Sequence, residues 1–333
     1  MKALYVVDYS NWVYKFKHVF SKLGVVDDLG RFVNTSVLHG FSTAIKGNRF
    51  SDIVIALDGY PERSYSLLPQ YKQQREHATS DQIFVPKREV IQFLTKLGEI
   101  HNKRVRVVAS RGQEADQVIA SICNLALGVV PESEASFADL VYDSNVKSDS
   151  YLSDLVDEFS PVELDRDYDT VIIGSTDSDM YQLKALGNVF MDSSWNGTMV
   201  DFSDSTPKAV HNMPPSTIAI YKSFLGDTSD NVPAVVSTRT GTRVRSIIRE
   251  KLNSDEKFTE FRNAVKLGTL TDPDLIWLST SITSSGNQLS DLERNYRVTK
   301  LSFESTPVQL SYPSYDVDTT IYKYRLFNAV AKK

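Results

Sequence analysis

A chain of 333 residues with 41% hydrophobic content is long enough to bury a core in one large domain or two modest ones. Its one cysteine, Cys123, excludes an internal disulfide and suits a reducing cytoplasm. No apolar run reaches the ~18 residues of a membrane span, and the first residues lack the long apolar region of a signal peptide, so a cytoplasmic protein is expected. The net charge of −5 speaks against a nucleic-acid partner only at first sight. Residues Pro131 to Asp169 carry 12 acids and two bases, so the rest of the chain is net +5. Tyr60 to Arg106 and Val236 to Lys251 are each net +4. Two basic zones beside acidic residues could hold a phosphate backbone.

The first half alternates two patterns. Ala3–Val7, Ile53–Leu57, Val105–Ala109, Thr170–Gly174 and Val189–Met191 are short runs rich in Val and Ile, as in strands buried on both faces of a parallel sheet. Trp12–Leu23, Asn34–Lys46, Lys87–Gly98 and Ala115–Leu127 carry helical stripes. The expected fold is α/β, a mostly parallel central sheet with flanking helices. Ligands in such folds bind beyond the carboxyl ends of the strands.

Gly59 to Val85 is polar and basic and reads as a loop or helical arch within about 59–100. The acidic stretch, about 129–169, reads as an insertion, partly disordered or weakly helical at Tyr151–Phe159. The core is expected over 1–204. After it, 205–333 reads as mostly helical, with Ser216–Leu225, Thr242–Leu252 and Phe258–Val265 as candidate helices.

Acidic residues stand where the apolar runs stop: Asp8, Asp58, Glu114 and Asp116, Asp177 and Asp179, Asp227 and Asp230. Taken singly, each has a plainer reading as a helix cap or first-turn acid. Glu114 and Asp116 converge only if Glu114 lies at or before the helix cap, because residues two apart in a helix point to opposite sides. Taken together, uncompensated carboxylates from five segments call for bound divalent metal, Mg²⁺ or Mn²⁺. A two-ion phosphoryl hydrolase uses such a cluster, one ion lowering the pKa of a water and both stabilising an in-line displacement. The five histidines show no metal-ligand spacing, and no phosphate-loop, GxSxG or GxGxxG motif is present.

The ordered series Val7-Asp8, Leu57-Asp58, Tyr71-Lys72-Gln73-Gln74-Arg75, Glu114-Ala115-Asp116-Gln117-Val118-Ile119, Ser175-Thr176-Asp177-Ser178-Asp179-Met180 and Gly226-Asp227-Thr228-Ser229-Asp230-Asn231-Val232-Pro233 resembles the 5′ nucleases of the flap-endonuclease superfamily. That superfamily includes phage 5′→3′ exonucleases, ribonuclease-H-type phage flap nucleases and the 5′-nuclease domain of bacterial DNA polymerase I. The resemblance runs from residue 1 to about 252. It implies a helical arch over the sheet, a C-terminal helix-hairpin-helix-like DNA-binding region, and two ions, Mg²⁺ or Mn²⁺. Asp8, Asp58, Glu114 and Asp116 would serve the tighter site, Asp177 and Asp179 would lie between the ions, and Asp227 and Asp230 would complete the second. Lys72 and Arg75 would meet the scissile phosphate, and Tyr14 would stack the terminal base. Arg63, Arg239, Arg243 and Arg245 join the expected nucleic-acid contacts.

The implied partner is DNA with a flap, nick or free 5′ end, with RNA–DNA hybrids and replication proteins as further partners. The implied protein is a monomer, working in the host cytoplasm if phage-encoded. Two departures stand out. Gln117 replaces an acid found in many bacterial and phage members. Only Gly241 of the glycine-rich hairpin is present, which weakens the case for a K⁺ site there; Arg239 and Arg243 could substitute side-chain charge. A catalytically inactive junction-binding member and a PIN-like ribonuclease are the alternatives.

Overall fold

The computed structural model describes residues 2–24, 29–46, 50, 52–73, 87–110, 112–129, 158–161, 164, 168–194, 201–203, 206–301 and 308–311. Arg75 and most of the acidic stretch lie outside them, so the expectations placed there are not addressed by it.

The chain builds a seven-stranded sheet in the order β4-β7-β3-β2-β1-β5-β6, with β1 Ala3–Asp8, β2 Asp52–Ala56, β3 Arg104–Ala109, β4 Glu158–Pro161, β5 Thr170–Gly174, β6 Val189–Met191 and β7 Val308–Ser311. β1 is parallel to β2 and β5, β2 to β3, and β5 to β6. β7 runs antiparallel to both β3 and β4. Side chains alternate along β1, β2 and β5, and both faces of these strands are covered. Tyr5 and Val7 pack with Trp12, Phe41 and Phe93 on one face. Leu4 and Val6 pack with Val118, Ile122 and Cys123 on the other.

The helices on these faces are α1 Tyr9–Lys22, α2 Leu29–Lys46, α4 Lys87–Ile100 and α5 Ala115–Ala126, with a short α3 Glu62–Leu67 inside the basic segment. A 3-10 helix spans Ser178–Leu186. The second half adds α6 Ile218–Leu225, α7 Gly241–Lys251, α8 Asp255–Leu267, α9 Pro273–Ser284 and α10 Leu289–Thr299. Their core holds Phe224, Val244, Ile248, Phe258, Phe261, Leu278 and Leu292. A small cluster of Leu68, Tyr71, Val232 and Val298 joins the basic segment to this half. Among the described residues, no helix is long and apolar enough to cross a membrane.

The five parallel strands match the expected runs to within a residue or two. One expectation is corrected: Glu158–Pro161 is strand, where weak helix was expected through Phe159. It is strand because β7 returns from the far end of the chain to pair with it.

Candidate metal centre and its surroundings

Parallel strands place their carboxyl ends on one edge, and the acids gather there. Asp8 ends β1 and caps α1, its Oδ1 accepting the Asn11 amide at 3.0 Å. Its Oδ2 accepts the Ser175 hydroxyl at 3.1 Å, tying the ends of β1 and β5 together. Asp58 follows β2 and accepts the Ala115 amide at 2.8 Å, so it caps α5 from another segment. The turn after it passes so close to the 110–113 loop that a Cβ at Gly59 would lie 2.7 Å from two carbonyl oxygens. Glu114 is the N-cap of α5, with extended backbone, and therefore escapes the helical geometry that would turn it away from Asp116. Both line one cleft of about 560 Å³ with Asp8, Asp58, Asp177, Lys72 and Tyr14.

A second group lies beside it. Asp179, Asp227 and Asp230 each bring a carboxylate oxygen within 4.8 Å of the others. Asp179 sits in the first turn of the 3-10 helix capped by Asp177, which accepts the Asp179 amide at 2.9 Å. Asp227 and Val232 pair through two backbone hydrogen bonds of 2.8 and 2.9 Å, closing a tight loop after α6. Gly226 permits this loop: its φ is +77°, and a Cβ there would stand 2.6 Å from the Val232 carbonyl.

Two lysines, Lys72 half-buried and Lys222 buried, tie these acids together. Lys72 Nζ is 2.7 Å from Glu114 Oε1 and 3.7 Å from Asp230 Oδ1, so it spans the two groups. Its amide also donates to the Asp230 carbonyl at 3.0 Å. Lys222, on α6, pairs with both Asp179 and Asp227. Tyr71 donates its hydroxyl to Glu114 Oε2 at 2.7 Å.

The electrostatics show how crowded the site is. Burial, then the neighbouring Asp58, pushes the Asp8 carboxyl up to about 7. Burial also pushes Asp179 up to about 7 despite Lys222, with Asp177 adding to the rise. Asp116 is raised well above the carboxylate range by burial, then by Glu114. Burial opposes the charge on Lys72 and Lys222, yet their carboxylate partners hold both above the ordinary lysine range. Asp177 lines the cleft with Asp8 and Asp116 and accepts the Asp179 amide, and its charge adds to the rise of all three.

This donor set fits divalent cations. It is made of hard oxygens, it comes from several segments, and two ammonium groups leave most of its charge uncompensated. Among the described residues, the three carboxylates whose oxygens come close enough together to share an ion are Asp179, Asp227 and Asp230, and the acids of the Asp8 group line the cleft beside them.

The other expected residues spread around the cleft. Tyr14, 43% exposed, stands on α1 at its wall, with the Lys17 ammonium 5.7 Å from the ring centroid. Arg63, on α3, is half-buried and lies near Arg297, and burial, then that like charge, lowers its pKa. Arg239 is exposed on the turn before α7. Arg243 stacks 3.9 Å over the Trp277 ring centroid and pairs with Asp274 at 3.2 Å. Arg245 donates to the Thr242 hydroxyl at 3.0 Å. Gln117 donates its amide to the Lys300 carbonyl at 2.9 Å, so it braces the end of α10. Sequence reasoning missed Lys222, whose signal is a lone charge in the apolar run Ile218-Ala219-Ile220-Tyr221-Lys222-Ser223-Phe224-Leu225. It also gave Tyr71 no role of its own.

No protein-family model matches this sequence, and no curated protein matches it. Solved structures do. The D15 protein of bacteriophage T5, crystallised with metal ions, is 18% identical over 90% of this chain and 90% of that one, with a TM-score of 0.47. The bacteriophage T5 D15 flap endonuclease, as a pseudo-enzyme–product complex with DNA and metal ions, is 18% identical over 90% of this chain and 89% of that one, with a TM-score of 0.49. The catalytic core of Rad2 in complex with a DNA substrate is 12% identical over 98% of this chain and 88% of that one, with a TM-score of 0.46. These are likenesses in the course of the chain.

Proposed function

We propose that this protein is a divalent-metal-dependent, structure-specific 5′ nuclease acting on DNA with a flap, a nick or a free 5′ end, and on RNA–DNA hybrids. The observation that carries the reading is Lys72, which spans Glu114 and Asp230 and so makes one continuous anionic centre from the two carboxylate groups. Left to itself, that centre repels a phosphodiester. When bound, two Mg²⁺ or Mn²⁺ ions would reverse its charge, polarise the phosphate and lower the pKa of a water.

The chain's own residues would do the rest. The five carboxylates around Asp8 would fix one ion, and Asp179, Asp227 and Asp230 the other. Lys72, once drawn from Glu114, would neutralise charge building on the phosphate oxygens, a task that the resemblance gives to Arg75 as well. Tyr14 at the cleft wall offers a ring on which a terminal base can stack without regard to sequence. Arg239, Arg243 and Arg245, on and before α7, would take duplex phosphates, and Arg63 the strand near the basic segment. By resemblance, the products carry a 5′-phosphate and a 3′-hydroxyl.

The test is a panel of 5′-labelled oligonucleotides in Mg²⁺: single strand, blunt duplex, nicked duplex, 5′ flap and RNA–DNA hybrid. Cutting that concentrates at the 5′ junction supports the reading. A strict preference for single-stranded RNA would favour a PIN-like ribonuclease instead.

A further inference from the structure

Lys222 stands where an ion of the second group would stand. Its ammonium is in contact with both Asp179 and Asp227, two of the three carboxylates that come within 4.8 Å of one another. Mg²⁺ sits only roughly 2.0–2.1 Å from its oxygen ligands. A Mg²⁺ or Mn²⁺ ion held by the same oxygens would therefore overlap the ammonium or lie against it, and like charges at that range exclude each other. The side chain is 7% exposed, on a helix whose neighbouring Ile220 and Phe224 are fully buried. The side chain is enclosed, with its tip seated on the two carboxylates. The first group differs. Lys72 makes close contact there with Glu114, and among the described residues no ammonium is seated between two carboxylates of Asp8, Asp58, Asp116 and Asp177, which line the same cleft.

We propose that Lys222 is a built-in monovalent occupant of the second ion position, so that the two ions bind unequally and in order. The proposal rests on the metal-dependent reading above and deepens it. The first ion enters the Asp8 group without hindrance. The second competes with a tethered ammonium whose local concentration is high and which cannot diffuse away. Its uptake is favoured when a substrate phosphate reaches the cleft, because the phosphate gives the displaced ammonium a new anionic partner. Lys222 is thus a positioning residue, coupling arrival of the phosphate to completion of the metal centre.

The test is Mn²⁺ binding to the whole protein without DNA, counted by electron paramagnetic resonance of free Mn²⁺ and by calorimetry. Wild type, Lys222→Met and Lys222→Arg would be compared. Wild type should bind one ion tightly and a second at least tenfold more weakly. Lys222→Met, of similar volume and no charge, should tighten the second ion at least tenfold and leave the first unchanged. Lys222→Arg should behave as wild type. Adding a 5′-flap duplex with a phosphorothioate at the junction should tighten the second ion in wild type and not in Lys222→Met.

Two equally tight ions in the wild type would overturn the proposal, whether or not any variant folds. So would an unchanged second ion in a folded Lys222→Met or Lys222→Gln protein. If no form binds Mn²⁺, the metal-dependent reading itself fails. If wild type binds two ions equally and cleaves, only the role of Lys222 is lost.

Discussion

Tyr71 and Glu114 are joined by a 2.7 Å hydrogen bond across 43 residues of sequence. The bond connects the basic segment to the cap of α5, and it fixes one carboxylate oxygen while Lys72 holds the other. Tyr71→Phe removes the donor and little else, since the ring stays in its buried cluster. A hydrogen bond to a charged group is worth about 1.5–3 kcal/mol, and loss of such an outer partner costs a metal site roughly tenfold or more in affinity. Denaturant unfolding in EDTA and Mn²⁺ titration would read the two effects. Unchanged metal affinity would show that Glu114 needs no orientation by Tyr71.

The raised carboxyls make a prediction about pH. Asp8 and Asp179 are pushed up to about 7 in the folded protein, against about 3.9 for an unfolded aspartate. The folded protein therefore holds protons that the unfolded chain has already released. Their contribution to stability is complete below about pH 4 and is lost as pH rises through about 7. Between pH 5.5 and 8, the metal-free protein should lose melting temperature from these groups. Divalent ions must displace the same protons, so Mn²⁺ affinity should climb through pH 7 and level off above it. Affinity independent of pH between 5.5 and 8 would count against both carboxyls as ligands.

Gly226 holds the Asp227 loop at φ +77°, where a Cβ would meet backbone atoms at 2.6 and 2.7 Å. No flexible side chain can yield there. Gly226→Ala should cost about 2–4 kcal/mol from strain and displacement of the loop. Urea unfolding measures the loss, and a cost below about 0.5 kcal/mol would mean that the loop adapts.

Two arginines near α7 should behave differently. Arg239 is exposed before the helix, so Arg239→Ala should weaken DNA binding and lower the salt slope by about one, with folding intact. Arg243 stacks on Trp277 and pairs with Asp274, so Arg243→Ala should also lower stability, by about 1 kcal/mol. Filter binding across a salt series, beside thermal melts, separates them. A salt slope unmoved by Arg239→Ala would take that side chain off the phosphate path.

Much of the fold was legible because a doubly covered parallel strand leaves a plain mark. Tyr5-Val6-Val7 and Val171-Ile172-Ile173 are apolar at successive positions because both faces are buried. The missed elements lack such a mark. β4 and β7 pair with each other across about half the chain, and neither has an apolar run long enough to declare itself. The carboxylates could be named because each ends a legible element, and Glu114 could be placed conditionally on the cap it does occupy. Lys222 could not be placed, because its role depends on Asp179, which reaches it from a different element.

The most direct test of the central claim is cleavage of a 5′-labelled flap duplex by wild type and Asp179→Asn protein, in Mg²⁺, Mn²⁺ or EDTA, with DNA affinity measured alongside. The account predicts cutting near the junction in either metal, none in EDTA, and a loss of at least a hundredfold in Asp179→Asn with DNA affinity kept within a few-fold. Undiminished cutting by Asp179→Asn, or tight binding by wild type with no cutting in either metal, would contradict it.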